Sequence, residues 1–354
     1  MTARESPVAR PRFRRPRYDG ARAREAAVVV LLLAALLVVA SAALVVGEVP
    51  TTPGEVWSVV TGTGGGGDPR VRLVVVEFRL PRVVVGALAG LALGASGSVF
   101  QSLTRNPLGS PDVVGFTAGS ATGAILGIVL AGGGSLAVAL FSVAGGVLCA
   151  ALVLALVASA GSATGHQFVL VGIGVSAVLT AFNGYLLTRA SLGDATAAQT
   201  WLVGSLNGRG WEHALPLACA LLVLLPVAMA GQQVLTMMEM GDVTAIALGV
   251  GVPRARLLLV LTGVALTAAA TAAAGPIAFV ALAAPQLARR LTRGVGPGVT
   301  AAAVLGALLL VASDLAAQRL LAPIVLPVGV LTGLLGGGYL AWLLWVDRGR
   351  PRGS

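Results

Sequence analysis

The chain has 354 residues, 56% of them hydrophobic and only 11% charged, and its mean hydropathy is +0.92. A soluble domain carries about 25% charged residues, so composition excludes a soluble globular protein and predicts one large membrane domain, with no polar stretch long enough for a second domain. All 24 basic residues are arginine. With no lysine to reach nucleotide phosphates there is no ordinary phosphate-binding loop, and any ATP-driven role falls to a separate partner chain.

Residues 1–25 hold eight arginines (4, 10, 12, 14, 15, 17, 22 and 24) against Glu5, Asp19 and Glu25. The apolar run 26–46 follows, enough to span a bilayer at about 20 residues and longer than a signal-peptide core. It reads as an uncleaved first span with the basic tail in the cytoplasm. The net charge of +10 then reflects cytoplasmic-side arginines, and nucleic-acid binding is not expected.

Further apolar runs predict spans at 82–103, 112–132, 135–158, 168–188, 211–230, 257–275, 277–292, 298–320 and 327–346. The fold class is therefore all-α and polytopic, with about ten transmembrane helices. It divides into a basic tail (1–25), a transmembrane domain (26–346) and a cytoplasmic C-terminal tail (347–354). The 277–292 run is short for a full crossing. A cytoplasmic N-terminus puts Arg105, Arg254, Arg256, Arg289, Arg290, Arg293, Arg348, Arg350 and Arg352 inside, as charge bias requires. It also leaves Arg70, Arg72, Arg79, Arg82, Arg189, Arg209 and Arg319 outside, and those need a separate reason.

Glycine recurs at every fourth residue at 86, 90 and 94, at 115, 119, 123 and 127, and at 329, 333 and 337. Bare helix faces of this kind let backbones approach closely. Between the first two ladders the polar turn 106–111 reads Asn-Pro-Leu-Gly-Ser-Pro. Cys149 and Cys219 sit in apolar runs and read as small buried hydrophobes. His166 and His213 lie in different loops without a second ligand at metal spacing, so no metal site and no cofactor are expected.

Charges within a membrane are costly and usually functional. Asp112 stands at a helix start, where a carboxylate can cap free N–H groups. Asp314 is the one acid deep in a span and is expected to pair with a nearby arginine such as Arg319. That inventory is poor for proton coupling. The 231–256 segment interrupts two apolar runs on the inner side. Met237, Met238 and Met240 suit an adaptable contact surface, and 244–250 reads as a short helix closed by Gly251 and Pro253. A docking helix for a cytoplasmic partner is expected there.

Six stretches occur together in one order: Arg79-Leu80-Pro81-Arg82; 97–112 with Gln101 and Asn106-Pro107-Leu108; Leu170-Val171-Gly172-Ile173; Trp201-Leu202-Val203-Gly204-Ser205-Leu206; Gly275-Pro276-Ile277-Ala278-Phe279-Val280 running to Pro285 and Arg289; and Leu326-Pro327-Val328-Gly329-Val330. In these the chain, over about 26–346, resembles the FecCD family, the permease subunits of ABC importers for iron–siderophore complexes, haem and vitamin B12. The resemblance implies a type II importer fold in which two ten-helix permeases, alike or different, line the path. ABC ATPase subunits would drive it from inside, and an extracytoplasmic substrate-binding protein would deliver the ligand. It also implies binding-protein docking at Arg79 and Arg82, with Arg319 as a third candidate, and a cytoplasmic gate near Thr164, Gly165 and His166. The ATPase coupling loop would include Met240, Gly241, Asp242, Ala245, Leu248 and Gly249. Three positions depart from the family pattern: Gln286 where histidine is frequent, Gln318 where arginine is common, and Val325 where glutamate precedes Leu-Pro-Val-Gly.

Two other function classes stand beside this one. A secondary transporter driven by an ion gradient could use 106–111 and 275–285 as broken helices. An intramembrane enzyme would need a nucleophile–base pair or metal cluster, for which the sequence offers no partner residues.

Overall fold

The computed structural model describes residues 18–47, 49–63, 68–112, 114–159, 165–294, 296–321 and 324–348, and among these there are helices and connecting turns but no strand. The helices are α1 (Tyr18–Val45), α2 (Pro53–Thr61), α3 (Pro69–Leu73), α4 (Leu80–Thr104), α5 (Phe116–Ala131), α6 (Ser135–Ser159), α7 (Gly165–Arg189), α8 (Leu192–Leu202), α9 (Trp211–Ala230), α10 (Gln232–Glu239), α11 (Asp242–Ala247), α12 (Val252–Ala274), α13 (Val280–Thr292), α14 (Val299–Arg319) and α15 (Val328–Arg348). A π-helical turn, Val74–Arg79, joins α3 to α4.

Among the described residues, seven helical segments are long and apolar enough to cross a membrane, and α5 and the first part of α15 are shorter apolar helices. With α13 they account for all ten expected spans. Three boundaries shift by four residues or more, the first being α1, which starts at Tyr18 and not at 26. α5 starts at Phe116 and not at 112, because the 105–115 turn continues past Pro111. α12 starts at Val252, where Pro253 occupies the first turn without losing a needed N–H. At 13 residues, α13 reaches roughly 20 Å against a hydrocarbon core of about 30 Å; the non-helical 275–279 segment precedes it.

α4 is the hub. Side chains at Gly90 and Gly94 would run into the backbone of α14 at Gly306, Ala307 and Ala302, and one at Gly97 would run into Ala281 of α13. Gly119 and Gly123 of α5 meet α6 in the same way, at Gly145 and Phe141. The first two glycine ladders are therefore packing surfaces. The third is not: Gly329 abuts Val203, but Gly333 and Gly337 face open space. α1 lies on α13 and α14 through Leu32, Ala288, Ala301 and Leu305.

Several expectations are corrected. His213 lies in the first turn of α9 and His166 in that of α7, so neither is a loop residue. Cys149 is buried, its thiol donating to the Gly115 carbonyl, but Cys219 is exposed, and both are free. α8 went unpredicted because Ser191 and Asp194 and the polar residues after them mask a helix capped by the Ser191 hydroxyl.

Candidate functional site

Three breaks in the helices meet at one place inside the bundle. The Ser205 N–H donates to the Ala274 carbonyl at 2.9 Å and the Gly329 N–H to the Gly204 carbonyl at 3.1 Å. The motifs at 201–206, 275–280 and 326–330 thus form one junction. Only glycine suits it at 204 and 275, which have positive φ (72° and 76°) and lie against each other's backbone. Phe279 also has positive φ, 69°, a strained state for a bulky residue. Its ring lies where a side chain at Gly336 would stand.

The 105–115 turn is bonded to this junction. Asn106 Oδ1 accepts from the Leu108 N–H at 2.9 Å, and the Gly109 N–H returns to the Asn106 carbonyl. This self-closing turn presents the Pro107 carbonyl to Gln286 Nε2 at 2.7 Å. Gln286 Oε1 accepts from the Tyr339 hydroxyl at 3.2 Å, and Gln101 Nε2 donates to the Leu282 carbonyl at 2.9 Å. Asp112 accepts from the Thr117 hydroxyl at 2.6 Å and from the Phe279 N–H. It caps the start of α13 across the fold, a correction to the expected cap on its own helix. α5 instead begins at Gly115 with no side-chain cap.

At one end of the bundle lie α10 and α11, so the 231–256 segment is itself helical, with its second helix at Asp242–Ala247 in place of 244–250. Asp242 pairs with Arg105 of the turn (2.5 Å) and Arg256 of α12 (2.7 Å). Held this way, α11 and its flanks turn Met240, Val243, Ile246 and Leu248 outward, all of them exposed. Of the three methionines only Met240 is exposed; Met238 is fully buried. Ala245 is buried too and anchors the helix, whereas Val243 and Ile246 are exposed apolar residues that sequence reasoning missed. Gly241 and Gly249 bracket the helix at positive φ. Arg289 reaches Glu239 at 3.2 Å and the Ser102 hydroxyl at 2.9 Å, tying α13 and α4 to α10.

The opposite end gathers the three predicted docking arginines, each already engaged. Arg79 donates to the carbonyls of Leu44, Val45 and Val49 and to the Thr51 hydroxyl. Arg82 forms a two-pronged pair with Asp314, both contacts at 2.8 Å. Arg319 donates to the Gly47 carbonyl. The expected Asp314–Arg319 pair is thereby corrected. Five residues apart on one helix, the two point to different faces, whereas Gln318, four apart, shares Asp314's face and donates to it at 2.9 Å. Gln318 thus serves Asp314 from the position where the family commonly has arginine. Val325 lies in the non-helical approach to α15.

Of the expected gate, Thr164 lies outside the described residues, and Gly165 and His166 open α7. No group of three metal-ligating side chains occurs among the described residues.

The profile of the FecCD transport family matches residues 32–346. The chain is 50% identical over 280 residues to the ferric enterobactin transport system permease protein FepG of Escherichia coli (strain K12), covering 79% of this chain and 84% of the relative. It is 36% identical over 278 residues to the Fe(3+)-citrate import system permease protein YfmE of Bacillus subtilis (strain 168), covering 78% and 83%. A solved inward-facing metal-chelate type ABC transporter superposes with a TM-score of 0.78 at 26% identity, over 90% of this chain and 98% of that one.

Proposed function

The chain belongs to the FecCD transport family, and we propose that it is the membrane permease subunit of an ATP-driven importer that passes a ferric siderophore across the cytoplasmic membrane. The observation that carries this reading is α11. It is pinned by Asp242 to both α4 and α12 while Met240, Val243, Ile246 and Leu248 stand exposed. An exposed apolar patch of this kind marks a contact with another protein, and pinning to two long helices gives that contact a lever on the bundle. The chain has no lysine for a phosphate loop, so the power source is an ABC ATPase docked there, on the cytoplasmic side.

A second permease subunit covers α7 and α15, on which Gly174, Gly184, Gly333, Gly337 and Gly338 face empty space. The cytoplasmic gate is at Thr164, Gly165 and His166, where α7 begins. An extracytoplasmic binding protein docks at the Arg79, Arg82 and Arg319 end. Because these arginines are satisfied internally, a partner carboxylate competes with Asp314 and the 44–51 carbonyls, which suits orientation more than affinity. The 50% identity to a ferric enterobactin permease favours a catecholate chelate. Uptake of radiolabelled ferric enterobactin, ferric citrate and a ferric hydroxamate, in cells with and without this chain beside its partners, tests the substrate. Loss of catecholate uptake alone supports the assignment; unchanged uptake of all three rejects it.

A further inference from the structure

Bonded contacts run without a break from α11 through α13 to α15. Asp242 holds Arg105, the first residue of the 105–115 turn, at 2.5 Å. The turn then grips α13 twice. Asp112 accepts from the Phe279 N–H where the helix starts, and the Pro107 carbonyl accepts from Gln286 Nε2 at 2.7 Å near its middle. α13 in turn meets α15 at three successive levels. The Phe279 ring lies on Gly336, and Gln286 Oε1 accepts from the Tyr339 hydroxyl at 3.2 Å. The Arg290 guanidinium lies over the Tyr339 and Trp342 rings, 5.8 and 5.5 Å from their centres.

Gln286 joins the two halves of this route directly. It is 8% exposed, and both ends of its amide are occupied, the nitrogen by the turn and the oxygen by α15. An amide donates at one end and accepts at the other, so a shift of the turn that keeps both bonds moves Tyr339 with it. Its neighbour Pro285 stands inside α13 and supplies no N–H to the Ala281 carbonyl, and a proline inside a helix is where that helix bends. α13 therefore yields most readily beside the residue that holds both partners.

We propose that Gln286 is the positioning residue through which a partner's pull on α11 shifts α15 and, with it, the face on which the second permease subunit sits. This role rests on the ATPase docking proposed above and adds the route by which that docking moves the bundle.

The test is the amount of ferric enterobactin, or of ferric citrate should the wild type import that instead, taken up per ATP hydrolysed. It is measured in proteoliposomes holding the assembled transporter and its binding protein. Gln286→Leu co-purifies with its ATPase but carries about ten-fold less chelate per ATP, the weight of one buried polar group left unpaired. Tyr339→Phe, which deletes only a hydroxyl, loses about three-fold, and the double variant loses no more than Gln286→Leu alone. Gln286→His stays within about two-fold of the wild type, because a neutral imidazole also donates from one nitrogen and accepts at the other. Ser98→Ala removes an equally buried bond off this route, to the Pro297 carbonyl, and leaves the ratio unchanged. Wild-type coupling in Gln286→Leu, or in Tyr339→Phe should the first variant not fold, overturns the relay, as does an equal loss in Ser98→Ala. Uptake by the wild type that needs no ATP overturns the docking beneath it and is seen without any variant.

Discussion

α4 and α7 are both apolar helices of 25 residues with recurrent glycine, yet they are used in opposite ways. The span containing α4 is 72% buried within the chain and that of α7 only 11%. Gly90, Gly94 and Gly97 on α4 lie against backbone; on α7 Gly172 does so against Val114, but Gly174 and Gly184 meet nothing. Composition does not distinguish them, because a bare helix face means close approach only when something approaches. The buried helix is the scaffold of this subunit, and the exposed one is the face on which we propose a second subunit sits.

The largest effect expected from that contrast is on folding. Gly94→Leu forces a side chain into the Ala302 carbonyl, costs upwards of about 3 kcal/mol, and leaves little monodisperse protein after extraction. Gly174→Leu leaves yield and melting unchanged but abolishes association with the second permease subunit. Equal yields for the two variants would erase the distinction.

Next comes the Arg82–Asp314 pair. Asp314→Asn strands a part-buried guanidinium, at about 3–5 kcal/mol for an ion pair broken from one side, and lowers the melting temperature measurably. Exchanging the residues, Arg82→Asp with Asp314→Arg, restores stability while binding-protein stimulation of transport stays lost. Full stimulation in the exchanged protein would remove Arg82 from the dock.

Asp242→Asn is milder. Its pairs are half-exposed and worth about 1 kcal/mol or less to stability, so the permease folds normally. Retention of the ATPase on co-purification nonetheless falls, because α11 loses its tie to α4 and α12. The smallest effect is at the opposite rim. Thr52 caps α2 and holds the Glu55 carboxyl below its ordinary value, through the Thr52 backbone N–H first and the hydroxyl second. A lowered carboxylate stabilises above its ordinary range and loses that contribution as pH falls through it. Thr52→Ala therefore raises hydrogen exchange in α2 at neutral pH, and the difference from wild type narrows in acid to what the lost hydroxyl cap on the Glu55 N–H leaves.

What could be read from the residues and what could not divide along the same line. The ten apolar runs were legible, although the shortest of them became α13, whose 13 residues are too few for a full crossing. So was a short helix within 231–256, although its methionines misled, since only Met240 of the three is exposed. The individual contacts were not: Arg82 and Asp314 are 232 positions apart, and only the packing of α4 on α14 brings them together. Met238 and Ala245 read as contact residues but are buried, because a segment of six to eight residues carries too little periodicity to assign its faces. The function of the Asn106 turn was hidden for a similar reason. Its partners, Gln286 in α13 and Phe279 just before it, lie more than 150 residues later.

The central claim, that this subunit is powered by a partner at α11 and not by an ion gradient, is tested most directly by ferric-siderophore uptake into proteoliposomes. These would hold the permease, with and without its ATPase, and a supplied binding protein. The account predicts uptake that requires both ATPase and ATP and is indifferent to a protonophore. Uptake that persists without the ATPase and collapses with the proton gradient would contradict it.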